Sequence, residues 1–105
     1  MDVKRLINKI NRVIKAGFPG FKGTFFFGSR SREDYSQDSD YDILLTFEHK
    51  PHWKEKNKIY DLIAEIELQE QITIDIKAYS EKELKTIWTP FREQVLTHGT
   101  FHAAN

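Results

Sequence analysis

The chain has 105 residues, 39% of them hydrophobic and 30% charged, a mix expected of one soluble globular domain over 1–105. Sixteen basic and sixteen acidic side chains cancel, so nothing global indicates nucleic acid as a partner, and the lack of cysteine excludes disulfides and thiol chemistry. No apolar run approaches the roughly 20 residues of a membrane span, and residues 1–14 are amphipathic without the apolar block of a secretory signal, so no membrane association and a cytoplasmic location are expected.

Val3, Leu6, Ile7, Ile10, Val13 and Ile14 recur at helical spacing and predict a helix over residues 2–16. Gly17-Phe18-Pro19-Gly20 stops it. Residues 24–27 read as a short buried strand, Gly28-Ser29 as a turn, and Ser29 as the N-cap of a short helix. Residues 40–47 alternate as a strand, with Tyr41, Ile43, Leu45 and Phe47 on one face and Asp40, Asp42, Leu44 and Thr46 on the other. Residues 53–70 form a helix with the stripe Ile59, Leu62, Ile63, Ile66. Residues 72–79 alternate again, Ile72, Ile74 and Ile76 opposite Thr73, Asp75 and Lys77. Ser80-Glu81-Lys82-Glu83 is a capping box that opens a last helix, broken or kinked at Pro90. From Gly99 onward the chain is expected to fray. The order α-β-α-β-α-β-α implies an α/β (α+β) fold: a small mixed sheet of three or slightly more strands, flanked by about four helices.

The chemistry concentrates between residues 28 and 42. Asp40 and Asp42 are two apart on a strand, so both carboxylates leave one face with Cα atoms about 6–7 Å apart. Such oxygen donors suit magnesium, which binds through a few carboxylates, waters and the phosphates of a substrate. Asp75 sits between Ile74 and Ile76, where a carboxylate needs a partner or a metal. If its strand neighbours the first, it joins Asp40 and Asp42 on one face. Three carboxylates could then hold two ions about 3.5–4 Å apart, activating a hydroxyl and stabilising a pyrophosphate leaving group. Gly28 allows close backbone approach to a phosphate, Ser29 adds a hydroxyl, and Arg30 and Arg32 can neutralise triphosphate charge.

These residues resemble the minimal nucleotidyltransferases, antitoxin-like members of the DNA polymerase beta-like superfamily. Gly28, Ser29, Arg32, Ser39, Asp40, Asp42 and Ile43 match the signature in identity and spacing, and Asp75 stands where the third carboxylate belongs. Phe91-Arg92-Glu93-Gln94-Val95-Leu96 is similar to the closing helix of the family. Ser31 replaces the usual Ala and Glu33 the usual Gly. The resemblance implies a two-metal magnesium enzyme in which Asp40 and Asp42 hold both ions and Asp75 contacts one and helps deprotonate the acceptor. It also implies that Ser29 contacts the phosphates of a nucleoside triphosphate, ATP being the expected substrate. Single-domain members often sit beside a small all-helical HEPN-type protein as toxin–antitoxin pairs, and some transfer AMP to a tyrosine of that partner. The function implied is transfer of a nucleoside monophosphate to a hydroxyl on a protein. The alternative, favoured by Glu33, is a binding module of the same fold that neutralises or scaffolds a partner without turnover.

Other patterns weigh less. Calcium-loop registers starting at Asp34 or Asp38 fail for want of Gly at position 6 and Glu at position 12. His49 and His52, and His98 and His102, have ligand-like spacing but no accompanying Glu, and read as solvated. Lys50, Lys54, Lys56 and Lys58 precede Asp61, Glu65, Glu67 and Glu70 along the long helix, an order that opposes the helix dipole. Such runs are usually solvated faces; the functional alternative is a charged docking surface.

Overall fold

The structure, a computed structural model, describes residues 3–27, 41–86 and 100–104. Its elements in chain order are α1 (Val3–Gly17), β1 (Phe21–Phe27), β2 (Tyr41–Phe47), α2 (Trp53–Glu70), β3 (Ile74–Ser80), α3 (Glu81–Thr86) and β4 (Thr100–Ala103). The four strands form one mixed sheet in the order β3-β2-β1-β4. β1 is antiparallel to both β2 and β4, and β2 and β3 run parallel, joined by α2 as a crossover.

Both long helices lie on one face of the sheet. Leu6, Ile7, Ile10 and Ile14 of α1 and Ile59, Ile63 and Ile66 of α2 are buried against Phe21 and Phe26 of β1, Tyr41, Ile43, Leu45 and Phe47 of β2, and Ile74 of β3. This is the alternation expected from the strand sequences, and α2 spans the residues its pattern predicts. The capping box of α3 is present as read: Glu83 N–H donates to Ser80 Oγ at 3.1 Å, and Ser80 N–H donates to Glu83 Oε1 at 3.0 Å. α2 has a cap the sequence reading missed. Lys54 N–H donates to His52 Nδ1, and His52 N–H donates to Glu55 Oε1.

Three expectations need correction. The strand expected from residue 24 begins at Phe21, because Gly23 carries a register shift and a φ of +155° that lets it continue. A Cβ at Gly23 would lie 2.5 Å from the His102 carbonyl oxygen, so only glycine fits. β3 runs over Ile74–Ser80 rather than 72–79, since Ile72 is still tied to the end of α2, its N–H donating to the Glu67 carbonyl at 3.2 Å. The third concerns the C-terminus, which pairs as β4 instead of fraying. Gly23, Thr24, Phe25 and Phe26 stand opposite Ala103, His102, Phe101 and Thr100, and the rings of Phe25 and Phe101 lie 4.8 Å apart. Asn11, buried on α1, donates Nδ2 to the carbonyls of His102 and Ala103 and accepts the Thr24 hydroxyl at 2.7 Å. A polar residue on a buried helix face needs such partners, and the fourth strand supplies them. The short helix after Ser29 and the segment around Pro90 lie outside the described residues.

Candidate functional site

Asp42 is the second residue of β2, and it stands in register with Asp75, the second residue of β3. Neighbouring strands lie about 4.8 Å apart, and residues paired in a parallel ladder send their side chains to the same face. The two carboxylates therefore leave adjacent strands side by side, on the face opposite α1 and α2. The register also aligns Phe27, the last residue of β1, with Asp42. Because β1 runs antiparallel to β2, the chain leaves β1 for Gly28-Ser29 at the end of the sheet where β2 and β3 begin.

β3 is at the edge of the sheet among the described strands, and the Asp75 side chain is 48% exposed. Lys77 stands on the same face two residues on, with Nζ 3.4 Å from Asp75 Oδ1. Asp75 thus stands both in register with Asp42 and beside a local cation. An oxygen-only donor pair on neighbouring strands fits a hard cation such as magnesium. Among the described residues no three His, Cys, Asp or Glu side chains gather as a metal cluster. The expected third donor, Asp40, lies outside them, as do Gly28, Ser29, Arg30, Arg32 and Glu33.

Along the same sheet face, Leu44 packs with Leu84 of α3, flanked by Phe25 and Tyr79. This apolar cluster adjoins the carboxylates. The sequence does not single it out, because an alternating strand does not say which element will cover which face. Of the four histidines, His52 caps α2 through its ring, His102 holds Asn11 through its backbone carbonyl, His49 is exposed, and His98 lies outside the described residues. No helix among the described residues is long and apolar enough to cross a membrane.

The family model described as "Polymerase beta, Nucleotidyltransferase" matches residues 8–101, and the chain belongs to that family. It is 34% identical over 99 residues to the Methanocaldococcus jannaschii protein named "Putative protein adenylyltransferase MJ0141", covering 93% of this chain and 85% of that one. Among solved structures, it superposes with a TM-score of 0.66 on a chain of a toxin–antitoxin complex with AMP-PNP, at 21% identity, covering 90% of this chain and 69% of that one. It also superposes, with a TM-score of 0.63 at 19% identity, on a chain of the complex of the tri-AMPylated Shewanella oneidensis HEPN toxin with its MNT antitoxin. That match covers 93% of this chain and 69% of the other. A variant of the MntA–HepT complex, in which two aspartates two positions apart are changed to glutamate, gives a TM-score of 0.66 at 19% identity, covering 90% and 69% of the two chains.

Proposed function

We propose that this chain is a magnesium-dependent adenylyltransferase that moves AMP from ATP to a hydroxyl of a protein partner, acting as the antitoxin-type subunit beside an all-helical HEPN-type protein. The observation that carries this reading is the parallel register of Asp42 with Asp75 at the end of the sheet where β1 hands the chain to Gly28-Ser29. The adenylyltransferase name of the archaeal relative and the AMP-PNP and AMPylated HEPN complexes among the fold neighbours support it. So does the aspartate pair altered in the MntA–HepT variant, which has the spacing of Asp40 and Asp42.

In this reading Asp40, Asp42 and Asp75 hold magnesium, which supplies charge neutralisation for the triphosphate and for the departing pyrophosphate. Gly28 admits the phosphates, Ser29 donates to them, and Arg30 and Arg32 balance their charge. Asp75 would receive the acceptor proton. The hydroxyl oxygen forms a bond to the α-phosphorus, the bond from that phosphorus to the bridging oxygen breaks, and pyrophosphate leaves with the electron pair. The exposure of Asp75 on an edge strand suits an acceptor carried by another protein.

The test is label transfer from α-phosphate-labelled ATP to a co-expressed HEPN-type partner in the presence of magnesium. Wild-type protein should label the partner, and Asp42→Asn or Asp75→Asn should cut labelling by about 100-fold or more, the scale of losing charge stabilisation in a transition state. A partner that is bound and neutralised with no label transferred selects the turnover-free binding module that Glu33 favours.

A further inference from the structure

α2 carries two apolar stripes, and only one of them is used within the chain. Ile59, Ile63 and Ile66 are buried against the sheet and α1. On the other side of the helix Trp53, Asn57, Tyr60, Ala64 and Leu68 follow one another at steps of four, three, four and four, and all five are exposed. At 100° per residue they form one seam pointing away from the core. Trp53 is 68% exposed, Tyr60 45% and Leu68 81%, and these are three of the four exposed large apolar side chains among the described residues. Scattered exposed apolar residues are ordinary, but a continuous helical seam at heptad-like spacing is the pattern of a helix that packs on another helix.

The charges along one border of this seam say what covers it. Lys54, Lys58, Asp61 and Glu65 line that border in the order basic, basic, acidic, acidic, and all are exposed. Within the helix this spacing places like charges four apart, Lys54 with Lys58 and Asp61 with Glu65, which is repulsive, and leaves Lys58 and Asp61, three apart, as the one opposite neighbouring pair. Among the described residues Lys58, Asp61 and Glu65 make no ion pair, and Lys54 sits over the ring of its neighbour Trp53. A second α2 laid antiparallel, with a two-fold axis between residues 59 and 60, resolves every one of these charges. Lys54 of each copy then faces Glu65 of the other, and Lys58 faces Asp61. In the same register Trp53 drops between Ala64 and Leu68 of the opposite helix, a large side chain beside a small one. A two-fold interface must be self-complementary, and this border is.

We propose that the outer face of α2 is a homodimer interface, closed by antiparallel pairing of α2 with α2 of a second copy. The interface is independent of the reaction proposed above. It lies on the side of the sheet opposite Asp42 and Asp75, so each copy keeps its carboxylates open at the outside of the dimer. A contact confined to one helix sits near the lower end of stable interfaces, about 1,200 Å², so association is expected at roughly 10–100 µM protein.

Sedimentation of the full chain from about 10 µM to about 1 mM tests the proposal. Wild type should dimerise, and Ala64→Arg, which sets a charge in the middle of the seam on an exposed helical position, should weaken association by about 100-fold or more. Lys54→Glu with Lys58→Glu should do the same, and adding Asp61→Lys and Glu65→Lys to that chain should restore the dimer. Direction is read by cysteine pairing against a background free of native cysteine. Lys54→Cys mixed with Glu65→Cys should form a disulfide dimer, while either variant alone should not, its own two-fold mates lying about 16 Å apart along the axis, beyond disulfide reach. A chain that stays monomeric to about 1 mM overturns the proposal. So does a dimer indifferent to Ala64→Arg and to the charge reversal, or self-linking of Lys54→Cys alone. If the wild type is monomeric and Ala64→Arg abolishes binding of a HEPN-type partner, the seam belongs to that partner and the homodimer is refuted.

Discussion

The two faces of the sheet are built from the same strands and have opposite tasks. On one face Tyr41, Ile43, Leu45 and Phe47 of β2 are sealed under α1 and α2. On the other, one residue out of step, Asp42 stands beside Asp75, and among the described residues the apolar part is the small cluster of Leu44 and Leu84 with Phe25 and Tyr79, extended by Phe101 against Phe25. Period-two alternation therefore keeps the stability of the domain and its candidate chemistry on neighbouring residues with little side-chain overlap. Substitutions one position apart should separate the two properties.

The largest effect should come from that pair. Asp42→Asn should remove label transfer by about 100-fold or more while leaving the denaturation midpoint nearly unchanged. Ile43→Ala, on the sealed face, should lower unfolding stability by about 2–5 kcal/mol, measured by urea titration, with any loss of transfer following the folded fraction. If both variants lose stability equally, the separation of the faces is broken.

Next is Gly23, whose conformation and lack of a side chain let β4 close the edge beside β1. Gly23→Ala should cost about 1–3 kcal/mol and raise hydrogen exchange chiefly in β4 and the start of β1. Exchange spread evenly over the sheet would mean that β4 is not held at this point. Ser80→Ala, which removes half of the capping box of α3, should cost about 1 kcal/mol. Because α3 covers the carboxylate face through Leu84, its loss should loosen that face before the sealed one.

The smallest effect concerns the join between the helices on the sealed face. Glu70 at the end of α2 accepts a hydrogen bond from Arg5 and lies 3.6 Å from Lys9, both on α1. The Arg5 hydrogen bond, with the charges of Arg5 and Lys9, holds the Glu70 carboxyl below the usual glutamate range despite some desolvation. A carboxyl with a lowered folded pKa contributes stability that is present above its unfolded pKa and is lost as pH falls through the folded value. Acid titration of stability should therefore lose one increment in that window, and Arg5→Ala should remove it. Since these groups are near the surface, salt should shrink the increment.

Those same contacts explain the charge order of α2. Read along the chain, acids at the C-terminal end of a helix are unfavourable. In the fold Glu70 is taken by α1, and Glu67 accepts the Ile74 N–H through Oε2 at 2.9 Å, pinning the start of β3. The reversed order is thus partly a set of tertiary anchors, and partly, through Asp61 and Glu65, the border of the outward seam.

Much of the domain was legible from local pattern. Helical spacing in α1 and α2, alternation in β2 and β3, and the Ser80–Glu83 box each depend on residues a few positions apart, and each appears in the fold, β3 with its bounds moved to Ile74–Ser80. The spacing of Asp42 from Gly28-Ser29 and the lone carboxylate at Asp75 were likewise visible, because a carboxylate inside an apolar alternation contradicts its surroundings. What the sequence could not settle is whether Asp75 would lie beside Asp42. That depends on β3 pairing in parallel with β2 through the α2 crossover, a long-range contact with no local signature. β4 was hidden for the same reason. Thr100–Ala103 has little strand character of its own, and it becomes a strand because Gly23 bares the edge of β1 and Asn11 supplies donors to its carbonyls. Side-chain spacing is local and so is written in the chain, whereas strand neighbours and the covering of each face are set by which distant surfaces bury one another.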